Sequence, residues 1–163
     1  ARGRLRRGAA AQGPILVARP PTVETRSAEE VIAHLALEPH PEGGWFRETF
    51  RDETGLQGRA HSTAILFLLA DGEVSRWHRV DAVEAWHWYG GSPLALNVAD
   101  ENGAVQEFTL GPDLFGGEHP QAIVPAHAWQ SAKSLGAWTL AGCTVAPGFH
   151  FDAFEIAPEG WAP

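Results

Sequence analysis

Short apolar runs, rather than long amphipathic segments, dominate the pattern of hydrophobic and polar positions. Trp45–Phe50 alternates between the two classes, as a half-buried strand does, and Thr63–Leu69 is an almost continuous apolar run that is typical of a strand buried on both faces. The pattern predicts further strands at Ser75–Arg79, Ala85–Tyr89, Leu94–Val98, Val105–Leu110, Gln121–Val124, Ala128–Ala132, Trp138–Ala146 and Phe151–Ile156. About ten strands separated by turn signals indicate an all-β sandwich or jelly roll.

One segment has the period of a helix. Ser27-Ala-Glu-Glu30 is a capping box, and Val31, Ile32 and Leu35 place apolar groups on one face of the turns that follow. The pair Asn102-Gly103 between two strand-like runs predicts a β-hairpin. The fold class is therefore all-β with one short N-terminal helix.

The charge is unevenly distributed. Six of the 12 basic residues lie within residues 1–26, whereas the rest of the chain has six basic against 19 acidic residues. We interpret residues 1–26 as a disordered basic leader or a cloning remnant, and residues 27–160 as a single domain. An acidic domain repels polyanions, so neither a nucleic-acid partner nor a membrane partner is expected.

Cysteine usage and hydropathy point to the cytoplasm. Cys143 is the only cysteine, so no intrachain disulfide can form, and its apolar strand predicts an inert buried thiol. No apolar run approaches the roughly 18 residues of a membrane-spanning helix.

The densest group of chemically active side chains lies between residues 72 and 91. If His78 ends one strand and Glu84 begins the next, antiparallel pairing would bring both side chains to the same face of a sheet. A carboxylate beside an imidazole fixes its tautomer, which suits acid–base catalysis or metal binding. Alternation places Trp86 and Trp88 on the face of Glu84, with His87 on the other.

These residues resemble the first cupin motif, in which a glycine is followed by His-x-His, a glutamate and a second glycine. Gly72, His78, Glu84 and Gly91 match the pattern, but Val80 stands where the second histidine is expected. The second cupin motif would fall on residues 125–130, with Gln130 in place of its histidine.

Ordered blocks along the chain are similar to one group of small cupins, the cupin-five family. The blocks include Pro39–Thr49, Ser75–Arg79, Glu84–Tyr89, Pro120–Pro125 and Gly142–Phe149. The resemblance implies a double-stranded β-helix (jelly-roll) cupin barrel that forms a homodimer. It brings no established reaction with it.

The site residues follow from the motifs and from strand alternation. We expect His78 and Glu84 to be catalytic. Trp86, Trp88 and Trp129 would form a wall on which a ring of the ligand stacks. Arg47 would bind an anionic group of the ligand, and Gln130 would bind a substrate oxygen. Barrel core is the competing interpretation for each tryptophan.

Three functions remain open. The preferred one is a small-molecule-binding cupin that acts as a metal-independent isomerase or epimerase on a sugar-like or other polar carbonyl compound. The second is a metal-dependent oxygenase or lyase in which His78, Glu84 and Gln130 bind a divalent metal, although two of the usual imidazole positions are lost. The third is a ligand-binding module without turnover.

Overall fold

The computed structural model describes residues 25–53, 55 and 58–163. The basic leader predicted at residues 1–26 lies outside this part of the chain except for its last two residues. One α-helix, α1, spans Ala28–Leu35, and a short 3-10 helix spans Phe151–Ala153. The strands are β1 (Glu38–Pro39), β2 (Trp45–Arg51), β3 (Thr63–Ala70), β4 (Val74–Val80), β5 (Val83–Gly91), β6 (Leu94–Ala99), β7 (Val105–Leu110), β8 (Gln121–Val124), β9 (Trp129–Ser134), β10 (Trp138–Ala146) and β11 (Phe154–Ile156).

The strands form two antiparallel sheets. The six-stranded sheet has the order β1-β2-β3-β10-β5-β8, and the five-stranded sheet has the order β11-β4-β9-β6-β7. Neighbours in each sheet are mostly distant in sequence, as in a jelly roll, and the arrangement is consistent with the expected double-stranded β-helix. The predicted hairpin is confirmed, because β6 pairs with β7 and Gly103 adopts a φ of 81° in the connecting turn.

The main core lies between the sheets and receives side chains from both. Phe67 of β3 and Trp86 of β5 pack edge to face at 5.5 Å, and Leu96 from the other sheet joins the same cluster. Helix α1 begins with the predicted capping box, in which Ser27 and Glu30 bond to each other's backbone N–H groups. The helix covers the outer side of the larger sheet over Leu68, so β3 is buried on both faces as predicted.

The two strands of the first cupin motif belong to different sheets. Strand β4 pairs with β9 and β11, whereas β5 pairs with β8 and β10. The expected antiparallel pairing of the His78 and Glu84 strands is therefore wrong. The two residues instead approach each other across the space between the sheets.

Candidate active site

A cavity of about 60 Å³ opens between the two sheets. Its polar lining includes His40, Glu42, His78, Glu84 and Cys143. Its aromatic lining consists of Phe46, Phe67, Trp86, Phe149, Phe151 and Phe154. Polar groups that converge in a largely apolar pocket are typical of a small-molecule site.

A glycine turn brings Glu42 into this cavity. Gly43 has a φ of 110°, and a Cβ atom there would lie 2.3 Å from the carbonyl oxygen of Val74, so only glycine fits beside β4. The backbone N–H of Arg76 donates to the carbonyl oxygen of Glu42 at 2.9 Å, which fixes the turn to β4. The Glu42 side chain consequently points between the sheets and is 5% exposed.

Two imidazole nitrogens converge on one oxygen of Glu42. Oε2 lies 3.3 Å from Nδ1 of His40 and 3.4 Å from Nε2 of His78. The other oxygen, Oε1, accepts a hydrogen bond of 2.7 Å from Oγ of Ser75. His40, Glu42 and His78 therefore form one buried cluster of titratable side chains, to which the Ser75 hydroxyl group is hydrogen-bonded.

The tautomer of His78 follows from its backbone contact. Nδ1 lies 2.7 Å from the carbonyl oxygen of Arg76, which can only accept, so Nδ1 has the hydrogen and Nε2 presents a lone pair to Glu42. Nδ1 of His40 accepts from the backbone N–H of Glu42 at 3.3 Å and therefore also presents a lone pair. One proton on Glu42 removes the repulsion between these three acceptor atoms.

Glu84 has a different environment. Its Oε2 accepts a hydrogen bond of 2.6 Å from Nε2 of Gln130, whose Oε1 accepts 2.8 Å from Nε1 of Trp86. Cys143 is a further hydrogen-bond partner of Glu84. The hydrogen bond that sets the His78 tautomer is made with Arg76, while Glu84 acts on His78 through its charge.

Burial shifts the five most enclosed titratable groups of the cavity toward their neutral forms. It raises the pKa of Glu42 to about 8 and also raises the pKa of Glu84, while it lowers the pKa of His40 to about 4 and lowers that of His78. Burial also raises the pKa of the Cys143 thiol. At neutral pH the site therefore combines neutral imidazoles with a carboxylic acid that can still donate a proton.

Arg51 closes one side of the cavity. Its Nη2 and Nε donate to the two carboxylate oxygens of Glu48 at 2.6 and 3.0 Å, and its Nη1 donates to the carbonyl oxygen of Phe149 at 3.2 Å. Both side chains of this ion pair are partly exposed. They connect β2 to the segment that contains Phe149 and Phe151.

Comparison with known proteins agrees with the fold and with the motif. The profile of the family described as "Cupin superfamily (DUF985)" matches residues 29–157. This chain belongs to that cupin family. The crystal structure of protein SO0799 from Shewanella oneidensis is similar at 38% identity, with a TM-score of 0.78, covering 81% of this chain and 85% of that one. A hypothetical protein from Leishmania major is 30% identical, with a TM-score of 0.74, covering 81% of this chain and 88% of that one.

More distant solved structures share only the fold with this cupin. Oxalate decarboxylase from Bacillus subtilis is 15% identical, with a TM-score of 0.58, over 72% of this chain and 29% of that one. The search of curated proteins returned no match.

None of the helices in the described residues has the length and apolar character needed to cross a membrane.

Four residues predicted at the site do not line the cavity: Gln130, which bonds Glu84 from behind, and three that lie farther away. Arg47 is exposed, because alternation along β2 sends Phe46 and Glu48 inward instead. Trp88 packs against the core beyond the cavity and donates to the carbonyl oxygen of Ser92. Trp129 lies outside the lining and packs against Trp161 at 4.6 Å, with Arg79 stacked on its ring.

Sequence reasoning missed most of the other polar lining. It assigned no role to His40 or Glu42, although both lie in the block Pro39–Thr49 that carried part of the family resemblance. An acidic residue directly before two glycines was the available signal, since a tight turn can place such a side chain against a neighbouring strand. Arg51 falls at the end of a strand whose bulge, between Glu48 and Phe50, no pattern predicted.

The three metal ligands considered from the motif lie only partly at the cavity. Gln130 does not line the cavity, and its amide already bonds Glu84 and Trp86. In the part of the chain that the structure describes, no three His, Cys, Asp or Glu side chains are arranged to hold a metal ion. Only His78 and Glu84 of the predicted ligands face the cavity.

Proposed function

We propose that this cupin is a metal-independent isomerase or epimerase that acts on a small, polar, sugar-like carbonyl compound. The observation that supports this most directly is Glu42, a buried carboxyl group 3.4 Å from Nε2 of His78, with both residues lining the cavity. A neutral acid beside a neutral base is the arrangement that proton transfer next to a carbonyl requires. The cavity volume of about 60 Å³ favours a short substrate.

In this proposal the two residues divide the proton transfer between them. Protonated Glu42 donates a hydrogen bond to the substrate carbonyl oxygen and stabilises the negative charge that develops there. Nε2 of His78 removes the proton from the carbon beside the carbonyl, which leaves an enediol-like intermediate. Delivery of a proton to the opposite face of the same carbon inverts it, and delivery to the neighbouring carbon moves the carbonyl, so no oxidant or reductant is consumed.

The remaining lining supports this chemistry. The aromatic side chains exclude water from the reacting atoms, which strengthens each hydrogen bond within the site. The carbonyl oxygen of Arg76 holds His78 in the tautomer that has a basic Nε2. Gln130 fixes Glu84 and Trp86 from behind the cavity wall, so its role is positioning and not the substrate contact that the motif predicted.

Deuterium exchange tests the proposal. Small sugars and hydroxyketones are incubated with the protein in D₂O, and loss of the signal of the proton beside the carbonyl is followed by NMR. We expect exchange with at least one compound, and its loss in Glu42→Gln and in His78→Gln. Arg47→Gln is the matched control, because Arg47 is exposed and outside the cavity. If none of the tested compounds exchanged the proton beside its carbonyl for deuterium, the proposal would lose its support.

The same proteins separate the alternative functions. Binding of a compound without exchange would favour a ligand-binding module. Near-stoichiometric Fe, Mn, Ni or Zn by mass spectrometry that disappears in His78→Ala would favour a metal-dependent oxygenase or lyase. The homodimer, the cytoplasmic location and the absence of nucleic-acid and membrane partners stay predictions, of which size-exclusion chromatography checks the first.

A further inference from the structure

The charges of the cavity lining are strongly asymmetric. Among the described residues, the lining has three carboxyl groups and one guanidinium group: Glu42, Glu48 and Glu84 against Arg51. The guanidinium bonds Glu48 with two of its N–H groups, so that pair is internally neutral. Among the described lining residues no other arginine or lysine is present: Glu42 has only Arg76 nearby, outside the lining, and Glu84 has no guanidinium or ammonium partner.

The partners of these two buried carboxyl groups are uncharged. Ser75 donates to Glu42, and Gln130 and Cys143 bond Glu84. When Glu42 keeps its proton, Glu84 is the group whose ionised form would be buried. A positive charge placed beside Glu84 would compensate for the burial of its ionised carboxylate.

The aromatic walls favour the same kind of ligand. Five phenylalanines and one tryptophan line the cavity, and the negative faces of such rings attract cations, above all organic ones. Outside the cavity, Glu53 adds a further negative charge near the Arg51–Glu48 pair. The chain has a formal net charge of −8, which steers cations toward the protein and anions away.

We propose that the substrate is an organic cation, a small carbonyl compound with an ammonium group on the carbon next to the carbonyl. This inference rests on the proposed function and specifies its substrate class. Ionised Glu84 pairs with the ammonium group, the phenylalanine faces surround it, and Glu42 and His78 perform the proton transfer. A neighbouring ammonium group makes the carbon-bound proton more acidic, so the ligand that fits the charges also reacts more readily.

Two probe compounds that differ mainly in charge test whether the cavity prefers a cationic ligand. Aminoacetone has the proposed ammonium group, and hydroxyacetone is a neutral analogue with the same carbonyl and nearly the same size. Titration calorimetry on the full-length protein measures both affinities. We expect aminoacetone to bind about tenfold more tightly or better, as one charge-assisted hydrogen bond in a desolvated site would give.

Three variants locate the source of that preference. Glu84→Gln keeps the shape and the Gln130 contact, and we expect it to weaken aminoacetone about tenfold while leaving hydroxyacetone unchanged. Phe154→Leu removes one aromatic ring from the lining and is expected to weaken aminoacetone more than hydroxyacetone. Glu107→Gln, on exposed β7, changes the net charge equally and should alter neither affinity.

Each other outcome overturns the inference. The cavity does not select a cation if the two affinities are equal, if hydroxyacetone binds more tightly, or if aminoacetone does not bind. These measurements use the wild-type protein, so they are informative even if a variant fails to fold. Equal weakening of both probes by Glu84→Gln would make Glu84 structural. Hydroxyacetone exchange that Glu42→Gln abolishes, without a preference for the amine, would leave the proposed function standing and refute only the substrate class.

Discussion

Replacement of Glu42 by glutamine should change how the stability of the protein depends on pH. Burial raises the pKa of Glu42 from 4.5 to about 8 in the folded state. Between these values the folded protein keeps a proton that the unfolded chain has lost, so the free energy of unfolding falls as pH rises, by about 1.4 kcal/mol per pH unit. Over the whole interval this group alone costs about 3 to 5 kcal/mol of stability.

Glutamine has the shape of the protonated carboxylic acid but does not titrate. Its carbonyl oxygen can still accept from Ser75, and its amide can donate to Nε2 of His78. We therefore expect Glu42→Gln to match the wild type near pH 5 and to exceed it by a few kcal/mol near pH 8. Urea unfolding followed by tryptophan fluorescence, from pH 5 to pH 9, measures both curves.

The difference between the two curves isolates Glu42 from the other titrating groups. The lowered pKa values of His40 and His78 matter only below their usual value of 6.5, because above it both rings are neutral in the folded and in the unfolded protein, so the slope at higher pH reports Glu42. Glu107→Gln is the matched control and should give a curve parallel to the wild type, because its side chain is exposed. Parallel curves for Glu42→Gln would refute the reasoning, since Glu42 would then ionise alike in the folded and unfolded states.

Three further substitutions test how the site is built. Gly43→Ala would place a Cβ atom 2.3 Å from the carbonyl oxygen of Val74 at a φ of 110°, so we expect a loss of roughly 2–4 kcal/mol in urea unfolding, and an unchanged midpoint would contradict this turn geometry. Trp86→Phe removes the hydrogen bond to Gln130 and leaves a void, which should cost about 1–3 kcal/mol; calorimetry showing wild-type stability would mean that the indole is not buried as described. Ser27→Ala removes the helix cap and should cost about 1 kcal/mol in thermal unfolding without affecting exchange activity, and a loss of exchange would show that the helix influences the cavity.

The fold could be predicted from sequence because its signals are local. Alternation, turn residues and the capping box gave the helix and nearly every strand, and the bounds of Val105–Leu110, Gln121–Val124 and Trp138–Ala146 agree with the structure. Strand pairing was less predictable. Consecutive strands usually pair, but in a jelly roll they alternate between sheets, so β4 and β5 are separated although only two residues connect them.

The site was predicted only where a motif marked it. His78, Glu84 and Trp86 line the cavity as expected, because strand alternation and motif spacing both place them inward. Glu42 enters from a turn about 36 residues before His78, and no local pattern encodes that long-range approach. Alternation alone does not tell which of Arg47 and Glu48 faces inward, and the bulge that follows Glu48 changes which side chains face inward at the end of β2, where Arg51 lies.

The two buried carboxyl groups differ in what surrounds them, and this difference decides which one donates a proton. Glu42 faces two imidazole lone pairs, which favour its protonated form, whereas Glu84 accepts a hydrogen bond from the Gln130 amide, which favours its ionised form. We therefore expect Glu84 to ionise at lower pH than Glu42. Carbon-13 NMR of the glutamate carboxyl groups, assigned with Glu42→Gln and Glu84→Gln, measures the order. If Glu42 ionised first, Glu84 would be the better candidate for the acid, and the roles proposed for the two residues would have to be exchanged.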